Sequence, residues 1–309
     1  MTQAESPDVT PSSPALPPAV RALYPFRSRY LDLGGLRYHY LDEGRGEPVL
    51  MVHGNPTWSF YFRHLVSELR ADHRTIVPDH IGCGLSDKPG DDRYPFTLAR
   101  RVDDLERLVE HLDLRNLTLV VHDWGGMIGT AFAVRQPERV KRLVVANTAA
   151  FPLPPGKRFP LALRLCRTAP VGPLLVRGLG AFNRGAAWTC VKRRPLSGAV
   201  RAGYLAPYGS WASRRAVLRF VQDIPLAPGD PSWRVVAETE ANLGRLAAKP
   251  LLILWGARDF VFDDHFLDGW RQRFPKAEVH RFADAGHYVF EDAADESGAL
   301  IRAFLERHP

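Results

Sequence analysis

The hydrophobic pattern changes period several times along the chain, and each change marks an element. From Phe26 onward, YLDLGG and LRYHYLDEG flank the pair Gly34-Gly35, which predicts a β-hairpin. PVLMVHG and LTLVVHD are unbroken apolar runs ended by turn residues, the pattern of strands buried on both faces. HRTIVPDH and RVKRLVVANT read as two further strands. Helical spacing runs from about Thr97 to Leu112 and again through MIGTAFAVRQ, directly after LTLVVHDWGG. Strands alternating with helices predict a mostly parallel central sheet flanked by helices.

The alternation then stops. From about Ala149 to Pro228 the chain is rich in Pro, Gly and Arg, with short helical patterns such as SRRAVLRFVQ. Strand-like units resume at KPLLILWG and AEVHRF, and a helix is expected from about Asp292 to Arg307. An irregular helical insertion between two halves of one sheet reads as a cap inserted after the sixth strand. Open parallel sheets bind ligands at the carboxyl ends of their strands, so such a cap covers the site. The expected organisation is a flexible Pro/Ser-rich tail (1–24), core (25–148), basic helical cap (149–228) and core again (229–309).

Composition narrows the function. Over 309 residues, 45% are hydrophobic and 24% charged, an ordinary globular balance. No apolar run of about 18 residues is present to span a membrane. The first twenty residues lack the apolar core of a secretory signal, and the three cysteines (Cys83, Cys166, Cys190) show no CxxC spacing. A cytoplasmic protein without a disulfide framework or a cysteine zinc site is the expectation. Charge is unevenly placed. Between Phe151 and Gln222 lie thirteen Lys or Arg and no Asp or Glu, +13 against a whole-chain +7, which leaves −6 for the rest. This block, mixing Arg with long apolar side chains in RFPLALRLCRTAPVGPLLVRGL, suits contact with an anionic membrane surface as well as a solvated face. No motif for nucleic-acid binding accompanies it.

The chemistry concentrates at strand ends. In LTLVVHDWGGMIG a buried strand turns sharply into a helix, with Asp123 at the turn and Gly125-Gly126 letting helix and strand approach closely. A nucleophilic serine is usual there, and the change to aspartate alters the reaction class. Attack of a carboxylate on a carbonyl gives an anhydride, whereas displacement at saturated carbon gives an alkyl ester. Lipase, esterase and peptidase activities are therefore disfavoured. Asn55, in HGNPTWS after another buried strand, and the Trp124 indole N–H are donors that can hold a departing anion. His287 in DAGHYVFED is the candidate base, and Asp259 in LLILWGARDF the acid that orients it. Asp123, Asp259 and His287 follow the nucleophile, acid, base order of α/β-hydrolases. His122 precedes the nucleophile on its strand and so points away from the site.

Together HGNPTWS, DHIGCGLSDKP, VHDWGG, WGARDF and DAGHY resemble the haloalkane dehalogenase family of α/β-hydrolases, from Tyr24 onward. The resemblance implies an α/β-hydrolase fold, Asp123 as nucleophile, Asn55 and Trp124 as the halide- or leaving-anion pair, Asp259 as acid and His287 as base. One subgroup carries its acid after the preceding core strand, where this chain has Asn147, which favours Asp259 here. NTAAFPLP, RAGYLAPYGSW and FVQDIPLAPGDPS are most similar to the β-lactone decarboxylases of bacterial long-chain olefin synthesis, relatives of the third dehalogenase subfamily. That likeness implies conversion of cis-3,4-dialkyl-β-lactones to cis-olefin and carbon dioxide, with no cofactor or metal. It also implies an assembly with a β-lactone synthetase and a reductase.

Two other readings follow from the residues. Epoxide hydrolases also use an Asp followed by Trp and protonate the epoxide with cap tyrosines, and Tyr204 and Tyr208 lie in the cap. A non-catalytic hydrolase-like receptor would be expected to lose the nucleophile or the base, and this chain retains all five elements.

Overall fold

The computed structural model describes residues 16–309. The chain opens with a short helix, α1 (Pro18–Leu23), the strands β1 (Arg29–Asp32), β2 (Arg37–Glu43) and β3 (Pro48–Val52), and helix α2 (Arg63–Leu69). Next come β4 (Arg74–Pro78), α3 (Leu98–His111), β5 (Leu117–Asp123), α4 (Trp124–Arg135) and β6 (Val140–Thr148). The connection from β6 to β7 holds α5 (Leu161–Arg167), a π-helical turn Pro173–Gly178, α6 (Ala181–Thr189), α7 (Gly198–Leu205), α8 (Arg215–Gln222) and α9 (Trp233–Asn242). The last elements are β7 (Leu251–Gly256), α10 (Asp264–Arg273), β8 (Glu278–Phe282), α11 (Val289–Asp292) and α12 (Ala294–Arg307).

One eight-stranded sheet organises these elements in the order β1-β2-β4-β3-β5-β6-β7-β8. β1/β2 and β2/β4 pair antiparallel, and the other neighbours pair parallel. Every residue of β5 and of β7 is buried, because helices cover both faces of the central strands. This is the α/β-hydrolase arrangement expected from the alternation. Helix α9 packs on α4, so the chain has rejoined the core flank before β7 begins.

The start of the described chain corrects one expectation. Residues 16–24 are not a tail: Pro18 opens α1, Val20 is fully buried, α1 packs against α7, and the Tyr24 hydroxyl lies 2.5 Å from Ser59 Oγ. The apolar VRALY segment supplies enough burial to order the helix despite the Pro/Ser-rich surroundings. The remainder of the expected tail, residues 1–15, lies outside the described residues. Among the described residues, no helix is long and apolar enough to cross a membrane, and the three cysteines are buried and unpaired.

Below the cap, a buried polar cluster fixes the loop that follows β3. Asp79 accepts the backbone N–H of Ser59 (2.6 Å) and of Leu85 (2.8 Å) and pairs with His39 Nδ1 at 2.8 Å. His53 donates from Nδ1 to the Gly54 carbonyl (2.7 Å), and its Nε2 accepts from the His80 backbone N–H (3.1 Å). Burial works against charge on the His53 ring and lowers its pKa, although Asp79 pulls the other way. Three separate segments are thereby locked around the entrance to Asn55.

Candidate active site

Asp123 ends β5 with φ +53° and ψ −127°, a backbone conformation that non-glycine residues rarely adopt. Neighbouring glycines make the turn possible. A Cβ on Gly125 would lie 1.9 Å from the Val52 carbonyl oxygen, and a Cβ on Gly54 would lie 1.9 Å from Asp123 Oδ1. The Thr148 hydroxyl donates to the Asp123 carbonyl and pins the turn to β6.

The carboxylate is almost fully enclosed. Burial pushes its pKa above the usual aspartate value, against the pull of His287 and of the backbone N–H groups of Asn55 and Trp124. The Asn55 N–H donates to Oδ1 at 2.5 Å, which orients the carboxylate and leaves Oδ2 toward the imidazole. His287 Nε2 stands 3.6 Å from Oδ2. On its other side, His287 Nδ1 meets Asp259 Oδ2 at 2.7 Å, and the second oxygen of Asp259 accepts the Val261 N–H at 2.7 Å. Burial disfavours charge on His287, but Asp259 and then Asp123 outweigh it and raise the pKa above the ordinary 6.5. The structure thus brings Asp123, His287 and Asp259 into one line.

Asn147 lies elsewhere in this network. Its amide binds both backbone groups of Gly256, with Nδ2 to the carbonyl at 3.0 Å and Oδ1 accepting the N–H at 2.7 Å. It joins β6 to β7 and makes no hydrogen bond to His287, whose carboxylate partner is Asp259, after β7.

Asn55 and Trp124 border the cavity beside Asp123. One N–H of the Asn55 amide donates to the Val217 carbonyl of α8 at 3.2 Å, and its Oδ1 is buried without a partner among the described residues. The Trp124 indole packs against Phe220, with ring centroids 5.1 Å apart. The cavity measures about 430 Å³, and its walls are mainly apolar side chains such as Phe151, Leu163, Leu175, Ile224 and Phe262. An apolar chamber with a few polar atoms at one end suits a greasy molecule that presents one electrophilic carbon to Asp123.

Tyr204 and Tyr208 are not in this chamber. The Tyr204 hydroxyl donates to Glu291, which also pairs with Arg63, and the Tyr208 hydroxyl donates to the Thr57 carbonyl at 3.1 Å. Helix α7 packs so tightly on the Ser59–Phe62 turn that a Cβ on Gly203 would lie 2.4 Å from the Phe60 ring. That packing turns the tyrosines into the seam between cap and core, and neither borders the cavity beside Asp123. The expected cap contacts from these two residues are therefore corrected.

Two supporting residues escape a sequence reading. His122 does lie behind the site, but its Nε2 donates to the His287 carbonyl at 2.8 Å and its ring packs 4.7 Å from the His287 ring. It holds His287 in place. Arg101 of α3 is fully buried, with its guanidinium 3.7 Å from the Phe220 ring centroid and 6.0 Å from that of Trp124. Asp223 stands 3.7 Å away. Positive charge therefore backs the aromatic wall of the anion end. The signal was an arginine on the same helical face as Leu98, Val102 and Leu105.

Comparison with known proteins agrees with this fold. A family model described as the alpha/beta hydrolase fold matches residues 47–294. A cis-3-alkyl-4-alkyloxetan-2-one decarboxylase from Shewanella oneidensis is 56% identical, over 92% of this chain and 89% of its own. One of the same name from Xanthomonas campestris is 50% identical, over 93% and 98%. Among solved structures, the haloalkane dehalogenase DatA from Agrobacterium tumefaciens superimposes with a TM-score of 0.82 at 26% identity, covering 92% of this chain and 97% of that one. By the family model and these relatives, the chain belongs to the α/β-hydrolase family, among relatives that include cis-3-alkyl-4-alkyloxetan-2-one decarboxylases and haloalkane dehalogenases.

Proposed function

We propose that the chain is a β-lactone decarboxylase that converts cis-3,4-dialkyl-β-lactones (cis-3-alkyl-4-alkyloxetan-2-ones) to a cis-olefin and carbon dioxide. The observation that carries this reading is the likeness to two decarboxylases of that name at 56% and 50% identity across more than nine-tenths of the chain. The site is chemically suited to it. Asp123 attacks the saturated ring carbon bonded to the ring oxygen, the bond between that carbon and the oxygen breaks, and its electron pair stays on the oxygen as a free carboxylate forms. That anion forms beside Asn55, Trp124 and the buried charge of Arg101. Loss of carbon dioxide then sends the carbon–carbon bond pair into the new double bond as the bond to Asp123 breaks. Inversion in the first step followed by an anti fragmentation returns a cis ring as a cis olefin, and no water is consumed.

His287 is the residue whose task differs from that in a dehalogenase. It stands 3.6 Å from Asp123 Oδ2 with Asp259 on its other side, placed to stabilise the Asp123 carboxylate as it departs. In a dehalogenase the same ring, neutral once Asp123 is esterified, would instead activate water. The second reading, halide displacement from 1-haloalkanes, is favoured by the structural likeness to DatA. The two are separated by giving purified protein a cis-dialkyl β-lactone and, in parallel, a 1-bromoalkane. Olefin with carbon dioxide and little bromide is expected. Rapid bromide release with the lactone untouched would overturn the proposal and leave the same residues in place.

A further inference from the structure

The cap exposes apolar side chains where a soluble surface has little use for them. Of the eight large apolar residues exposed among the described residues, seven lie in the cap, including Leu161 at 69%, Trp188 at 62% and Leu174 at 60%. The eighth, Phe260, borders the cavity together with Leu165 of α5, so both belong at once to its wall and to the outer surface. They form its rim. Leu161 precedes Leu165 by four residues on α5, which places both on one helical face.

The cations of the cap differ in their partners. Lys157, Arg167, Arg193, Arg215 and Arg219 each have a carboxylate partner. Arg158, Arg164 and Arg184 are exposed on the segments that build the rim and have no carboxylate partner among the described residues. No acidic residue interrupts the sequence from Phe151 to Gln222. Core packing explains neither the unpaired arginines nor the exposed leucines, and a solvated basic face explains only the former. Arginine heads beside aliphatic and tryptophan side chains are what the interface of an anionic bilayer binds.

We infer that α5, the π-helical turn and α6 form a face that docks on an anionic lipid surface, with the cavity rim at the membrane. A protein partner seated there would close the entrance, whereas lipid would supply a sparingly soluble substrate through it. The docking rests on the surface alone; passage of substrate from lipid rests on the function proposed above.

The test is flotation of the full-length protein with phosphatidylcholine vesicles containing about one-third phosphatidylglycerol. Strong flotation at low salt is expected, with most of it lost at about 0.5 M salt and on pure phosphatidylcholine. Replacing Arg158, Arg164 and Arg184 together by Gln is expected to weaken partitioning about hundredfold, from the usual contribution of three basic residues at such a surface. Leu161→Asp with Leu174→Asp is expected to abolish flotation while leaving turnover of a short, water-soluble β-lactone unchanged, which shows the fold is intact. Wild-type protein that ignores anionic vesicles, or a leucine double variant that floats like wild type, would overturn the proposal. Binding to polyglutamate beads without binding to vesicles would also overturn it and assign the face to an acidic protein. Flotation needs no turnover, so a protein that floats yet leaves lactones untouched would sink only the proposed function.

Discussion

Asp123 holds a carboxylate only 7% exposed, at positive φ, with a pKa raised by burial. A raised acid pKa means that the ionised form costs folding free energy at neutral pH. Asp123→Asn keeps the shape and the bond from Asn55 N–H and removes the charge. It is expected to lower turnover by about 10⁴-fold or more and to raise the melting temperature by about 2 °C per kcal/mol recovered, read by product formation and calorimetry. The opposite sign in stability would mean that the His287 pairing outweighs the burial. Asp259 is tested through its partner. Since burial works against the imidazolium and Asp259 is the largest influence supporting it, Asp259→Asn should shift the His287 titration downward, measurable from the ring nitrogen shifts. An unmoved midpoint would remove Asp259 from its assigned place. That Asp123, Asp259 and His287 come together could be read from the sequence because each ends a strand or opens a loop, where local patterns are diagnostic. The surroundings of Tyr204 and Tyr208 could not, since they depend on how α7 and α8 settle on the core.

Among the elements, the turn after β4 shows how much one buried carboxylate can do. Asp79 loses solvation on burial, but His39, His53 and the Leu85 N–H lower its pKa from 3.8 to about 2. The ionised group therefore contributes stability in full above pH 3.8, and that contribution disappears as pH falls through about 2. The difference amounts to about 2 kcal/mol. Asp79→Asn should lose about that much at neutral pH and flatten the decline between about pH 4 and pH 2, measured by urea unfolding across a pH series. A variant with the same acid sensitivity as wild type would move the cause to other carboxylates. Uniform burial made β5 and β7 easy to place, and the Gly-Gly pair made the hairpin easy. Helix α1 was missed because Pro and Ser around it resemble a linker, and only contact with α7 reveals why Val20 is ordered.

For the molecule as a whole, the core brings the charged side chains together, and cap and core together wall an apolar chamber that reaches the outer surface at Leu165 and Phe260. If the substrate is a dialkyl lactone, its ring must reach Asp123 while its tails run along Leu163, Leu175 and Ile224 toward Leu165 and Phe260. Each methylene that becomes buried contributes about 0.8 kcal/mol, close to a fourfold gain in kcat/KM. The gain should continue only while new carbons still find wall, and stop once they emerge past the rim. A homologous series of cis-dialkyl lactones, assayed below their solubility limits, should therefore show a steep rise followed by a plateau. Leu163→Ala, on the wall, should reduce the slope of the rising part. Leu161→Asp, outside the chamber, should leave both slope and plateau as they are in free solution. A series with no dependence on chain length would mean that the tails do not occupy this chamber, whatever reaction Asp123 performs.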